Sequence, residues 1–125
     1  MDWTLNGDRA IWLQLKERIT KGIITGEYPP GSKLPSVREL ALQAGVNPNT
    51  MQRALSELEQ EGLCKAQGTT GRVITADVEK LKNIRRGYAE ALMAAFMEEM
   101  KTLGYSYREA VTGLEDWLND TVAGN

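Results

Sequence analysis

The sequence predicts a mainly α protein with one small β-hairpin, organised as an N-terminal domain over residues 1–76 and a two-helix region over residues 77–125. Three observations carry this expectation. Residues 34–55 hold two short amphipathic helices, each with its own start signal, around a Gly-containing turn. Residues 63–75 read as strand, turn and strand. Beyond Asp77 the apolar residues keep helical spacing, with one break at Gly104.

Taken in order, residues 10–25 are expected to form the first helix. Trp12, Leu15, Ile19 and Ile23 share a face, with Gln14, Lys16, Glu17, Arg18 and Lys21 on the other side. Gly26 stops it, and Glu27 to Ser32 is a Pro/Gly turn. Pro35 disfavours a helical residue before it, Ser36 can cap, and Glu39 stands three residues on, the spacing of a capping box. Val37, Leu40 and Ala41 then fall on one face. Gly45 can take the left-handed conformation that ends this helix. Asn47 is a good N-cap, and Pro48 suits the first helical position because its missing N–H has no intrahelical partner to lose. Met51, Ala54, Leu55 and Leu58 follow as an apolar stripe, and the opposite face shows Asn49, Thr50, Gln52 and Arg53.

Two capped helices around such a turn make a helix-turn-helix unit, and a hairpin directly after the second helix makes the wing of a winged helix. The wing is Leu63 to Gln67, Gly68 to Gly71, and Arg72 to Thr75. It would offer Lys65, Gln67, Arg72 and the backbone N–H groups of Gly68 to Thr70. The exposed side chains of the second helix have the chemistry used on base edges and phosphates. An ordinary helical hairpin with a solvated face is the plainer reading of residues 34–55 alone. The first helix and the wing supply the context that a recognition helix needs.

The tail is expected to be one long helix from about Asp77 to Leu103 and a last helix begun by a second capping box, Ser106 with Glu109. Its stripes are Leu81, Ile84, Tyr88, Leu92, Ala95, Phe96, Met100 and Leu103, then Tyr107, Ala110, Val111, Leu114, Trp117 and Leu118. Two amphipathic helices cannot close a core unaided. Their surplus apolar surface most simply meets the same surface on a second copy, which assigns Leu81, Ile84, Tyr88, Leu92, Phe96, Met100, Leu114, Trp117 and Leu118 to a homodimer interface.

Composition narrows the function classes. The chain has no histidine, which removes His-based acid–base catalysis, triads and the usual zinc sites. Without a Gly-rich phosphate loop either, an enzyme is not expected, nor is a metal or a cofactor. The single cysteine, Cys64, sits at an apolar position of the first wing strand, forms no intramolecular disulfide and fits a reducing cytoplasm. No long apolar run marks a membrane span, and residues 1–8 lack the pattern of a signal peptide. Net charge is −2, with nine Lys/Arg against eight Asp/Glu in residues 1–76 (net +1) and six against nine in residues 77–125 (net −3). The first segment must therefore work by placing a few cations well rather than by bulk positive charge. That near-neutrality also motivates an alternative, a protein-interaction module on a winged-helix scaffold.

The sequence resembles the GntR family of transcription regulators, and its short two-helix tail is similar to that of the YtrA-type subfamily. The resemblance rests on Ile11 to Leu15, Gly26 to Gly31, Leu34 to Ala41, Val46 to Thr50 and Arg53 to Leu63. It implies a dimeric repressor, cytoplasmic and on the nucleoid, bound to an inverted repeat in double-stranded DNA. It implies DNA contacts from Arg38 at the second helix, from Asn49, Thr50, Gln52 and Arg53, and from Gly68 at the wing tip; Ser36, Thr69 and Arg72 join them as candidates for their place beside these residues. Two positions depart from relatives. Pro48 stands where an arginine is common, and the run Gln67 to Val73 lacks a basic wing tip. Base readout should then fall mainly on Arg38, Asn49, Thr50, Gln52 and Arg53. As to a signal, Met93, Phe96, Met97 and Met100 with Tyr105, Tyr107 and Trp117 could line a cleft at the dimer interface for an apolar or cationic aromatic effector, or could be dimer core alone; the second reading is preferred.

Overall fold

Residues 2–69 and 71–121 are described by the computed structural model, so the expected wing-tip N–H of Thr70 lies outside the described residues. In chain order they form α1 (Ile11–Ile24), α2 (Val37–Ala44), α3 (Pro48–Gln60), β1 (Cys64–Ala66), β2 (Arg72–Ile74), α4 (Val78–Thr102) and α5 (Tyr107–Thr121). The chain divides into two units, Met1–Ile84 and Arg85–Asn125.

In the first unit, α1, α2 and α3 converge on one core. Leu15, Ile19 and Ile23 of α1 meet Leu40 and Ala41 of α2 and Met51, Ala54, Leu55 and Leu58 of α3, all buried. Helix ends follow their local chemistry. Ser36 Oγ accepts the Glu39 N–H at 3.1 Å, but the Glu39 carboxylate takes the Ser36 hydroxyl rather than its N–H, so the first capping box is only half made. Gly45 closes α2 at φ 69°, where a side chain would be strained, and its N–H turns back to the carbonyls of Ala41 and Leu42. Asn47 Oδ1 accepts the Asn49 N–H at 2.7 Å to start α3, with Pro48 behind it.

The wing pairs antiparallel with Cys64 opposite Ile74, Lys65 opposite Val73 and Ala66 opposite Arg72. It has a third partner that periodicity does not reveal. Lys33 bridges Val73, the Leu34 N–H donates to the Arg72 carbonyl at 3.0 Å, and the Ile74 N–H donates to the Ser32 carbonyl at 2.8 Å. The segment entering α2 thus holds β2 from its other side. A second difference is Gln14, expected on the solvated side of α1 but buried. Its amide accepts the Asn6 N–H at 2.9 Å and donates to the carbonyls of Asn6 and Arg9, which straps the N-terminal segment along α1. Trp3 and Leu5 of that segment pack against the core.

The wing's Cys64 is buried, and burial pushes its thiol up to about 11 although the Arg72 guanidinium pulls the other way. Thiolate is the reactive form, so little of it exists at pH 8. The native protein should resist iodoacetamide at that pH and react once unfolded, as read by intact mass. Rapid full alkylation of native protein would overturn this.

α4 begins in the first unit, and here one expectation is corrected. Leu81, assigned above to the dimer seam, is buried in the core with Leu58, Leu63 and Ile74, and Ile84 packs against the same cluster. Leu81 is spent within the protomer and Ile84 partly so, because the chain leaving the wing turns α4's first face back onto the helix-turn-helix core.

In the second unit α4 continues to Thr102 and α5 follows a turn at Gly104. This capping box is complete: the Ser106 N–H donates to the Glu109 carboxylate at 2.9 Å and the Glu109 N–H to Ser106 Oγ at 3.1 Å. The Ser106 N–H, and after it the Ser106 side chain, hold the Glu109 carboxyl below its ordinary range. Tyr107 Oη donates to Glu98 Oε1 at 2.6 Å, tying α5 to α4, and Ala110 is buried. Among the described residues no helix is long and apolar enough to cross a membrane.

Candidate nucleic-acid interface

The three-helix core fixes which side of α3 points outward. With Met51, Ala54, Leu55 and Leu58 buried, Asn49, Gln52 and Arg53 are exposed and Thr50 and Ser56 half-buried. Gln52 Nε2 donates to Ser56 Oγ at 3.3 Å, which holds its amide along the helix surface. Arg53 lies with its guanidinium carbon 4.1 Å from the centre of the Trp12 ring on α1. On that flank Lys16 of α1 also pairs with Glu61 just beyond α3.

Arg38 is exposed in the first turn of α2, beside the capping Ser36. These two meet the wing in a cleft of about 290 Å³ lined by Pro35, Ser36, Val37, Arg38, Thr69, Gly71 and Arg72. Ser36, Arg38, Thr69 and Arg72, distant in sequence, therefore line one site. Gly68 is exposed at the turn with φ 58°, closed by the Gln67 N–H on the Gly71 carbonyl at 2.8 Å. The wing arginine differs from expectation. Arg72 Nε donates to Glu59 Oε1 at 2.9 Å, and the side chain is only 14% exposed. It is turned inward to tie the wing to α3, because Glu59 occupies the wing-facing side of that helix.

A face of amides and hydroxyls can donate to and accept from base edges, while exposed guanidiniums and backbone N–H groups suit phosphates. A helix-turn-helix with such a face and a hairpin beside it defines a winged-helix DNA-binding class. The chain belongs to the GntR family: the family model "Bacterial regulatory proteins, gntR family" matches residues 12–74. It is 34% identical over 92% of its length, and 95% of the relative's, to "Uncharacterized HTH-type transcriptional regulator YhcF" of Bacillus subtilis. It is 35% identical over 88% of its length to the "HTH-type transcriptional repressor YtrA" of the same organism, covering 79% of that chain. Among solved structures it resembles a GntR family transcriptional regulator from Listeria monocytogenes, with TM-score 0.83 and 33% identity over 90% of this chain and 98% of that one. It is a transcriptional regulator with a DNA-binding domain, not an enzyme.

The second unit carries the other expected residues. Leu92, Phe96, Leu114, Trp117 and Leu118 are exposed; Tyr88 and Met100 are half-buried. Phe96, Met100, Gly113, Leu114 and Trp117 line an apolar cleft of about 380 Å³ between α4 and α5. Tyr105 and Tyr107 line another cleft of the single chain, with Lys101, Gly104, Ser106 and Glu109.

Proposed function

We propose that the protein is a homodimeric, cytoplasmic, nucleoid-bound repressor that binds an inverted-repeat operator. Residues 1–76 would supply the DNA-binding domain and residues 77–125 the dimer contacts. The observation that carries it is the outward face of α3, with Asn49 and Gln52 along it and Arg53 on its α1 flank, presented from a buried core together with the cleft that Arg38 shares with the wing. Asn49, Thr50 and Gln52 would read base edges. Ser36, Gly68 and Thr69 would offer hydroxyl or N–H donors to phosphates, and Arg38 would reach either guanine or phosphate. Arg72 would act by placing the wing. With a net charge of −2, non-specific affinity is modest, so two copies of the site are needed to reach a useful total. Symmetric dimers meet symmetric half-sites about one helical turn apart. Repression is the role that the YtrA relative, a transcriptional repressor, carries in its name.

Selection of bound duplexes from a random DNA pool tests this, and enrichment of an inverted repeat is expected. On the selected duplex, Arg38→Ala and Gln52→Ala should each weaken binding by about 1–3 kcal/mol if they make bidentate base contacts. Unchanged affinity in both would remove those assignments. The near-neutral charge favours, as a second reading, a protein-interaction module on the same scaffold. A pool that yields no enriched sequence would leave that one standing.

A further inference from the structure

The first unit contains five arginines, and three are neutralised within the chain: Arg9 by Glu17 at 2.8 Å, Arg18 by Glu27 at 3.2 Å and Arg72 by Glu59 at 2.9 Å. Among the described residues, Arg38 and Arg53 have no carboxylate within ion-pair distance. For Arg53 this is a choice. Glu57 stands one turn on, at the spacing where helix ion pairs form, yet the guanidinium lies 4.1 Å from the Trp12 ring centre instead. A guanidinium drawn over a ring by cation–π attraction need spend none of its five N–H donors on it. The group is thus held in place with its hydrogen-bonding edge unspent.

Its direction also carries information. Trp12 belongs to α1, so the stack draws Arg53 to the α1 flank of α3 and away from the line through Asn49, Gln52 and Ser56. When a helix lies in the major groove its central row faces base edges, and its flanks face the groove walls, which are sugar and phosphate.

We infer that Trp12 is a positioning residue for DNA binding: its indole holds the Arg53 guanidinium at the flank of the recognition helix, edge toward a backbone phosphate oxygen. This rests on the operator-binding reading above and assigns Trp12, a side chain that periodicity places with the core, a part in it.

The test uses the full chain and the duplex selected from the random pool, with binding read by fluorescence anisotropy across a range of KCl concentrations. The variants are W12M, W12Y, R53M and W12M/R53M. W12M keeps apolar bulk without an aromatic face and should lower affinity about two- to fivefold. W12Y keeps a face and should bind like the wild type. R53M should flatten the plot of log affinity against log salt by about 0.9 for each phosphate it leaves unneutralised, and W12M should have no further effect in the R53M background. The inference is overturned if W12M weakens binding equally with and without Arg53, or if W12Y behaves as W12M. R53M is exposed and leaves the core intact, so an unchanged salt slope for it overturns the phosphate assignment even if W12M unfolds. A wild type that binds no duplex removes the operator reading and this inference together; a wild type that binds, with additive W12M and R53M effects, removes only the part given to Trp12.

Discussion

Leu58→Ala is expected to lower the free energy of unfolding by about 2–5 kcal/mol, a large share of what a domain of this size possesses. Leu58 is fully buried on α3, in one cluster with Leu15 and Ile19 of α1, Leu63 before the wing and Leu81 of α4. No single neighbour can collapse into the space, because those side chains sit on three separate backbone segments. The loss is then the transfer free energy of three carbons plus the unfilled cavity. Leu42 supplies the control: it is 78% exposed on α2, and Leu42→Ala should change stability by no more than about 0.5 kcal/mol. Urea unfolding followed by tryptophan fluorescence, at one fixed protein concentration, separates the two. Equal midpoints would show that α3 is not anchored by this stripe. The result bears on function, since α3 carries Asn49 and Gln52 outward and Arg53 on its flank, and those directions exist only while its inner face is packed.

What made that stripe legible was local. Ser36, Gly45, Asn47 and Pro48 each act within three or four residues of themselves, so the ends of α2 and the start of α3 follow from sequence with little reference to the rest of the fold. Gln14 was not legible in that way. A glutamine amid charged neighbours reads as solvated, and only the return of Asn6 and Arg9 along α1 makes its burial favourable. The same holds for the pairs that shape the candidate interface. Arg72 with Glu59 and Trp12 with Arg53 join elements whose approach is set by the whole core, and neither spacing nor charge announces them. Periodicity found the stripe on α4 but could not say what it faces. Leu81 and Ile84 turned out to serve the first unit, which leaves the residues from Tyr88 onward as the exposed part of the stripe.

That remaining stripe yields the second large effect, for Leu114→Glu. The unit Arg85–Asn125 exposes Leu92, Phe96, Val111, Leu114, Trp117 and Leu118. These are too many large apolar side chains on two helices for the scattered exposure that a monomer tolerates. If a second copy covers them, Leu114 beside the Phe96, Met100 and Trp117 cleft is near the middle of the contact. A carboxylate there would be buried without a partner, a cost of several kcal/mol that each protomer imposes once across a two-fold interface. In the single chain Leu114 is 45% exposed, so the same carboxylate keeps its water and the helices stay folded. Leu114→Glu should therefore sediment at the mass of one chain where the wild type sediments at two, with an unchanged far-ultraviolet circular dichroism spectrum. Operator affinity should fall on the order of 10²–10⁴, because the second half-site then loses the effective concentration that linkage provides. Leu42→Glu, equally apolar to charged but on the first unit, should leave the mass at two chains. A wild type found at the mass of one chain, or an L114E variant that remains paired, would end the dimer reading and require the apolar stripe to be covered by something else.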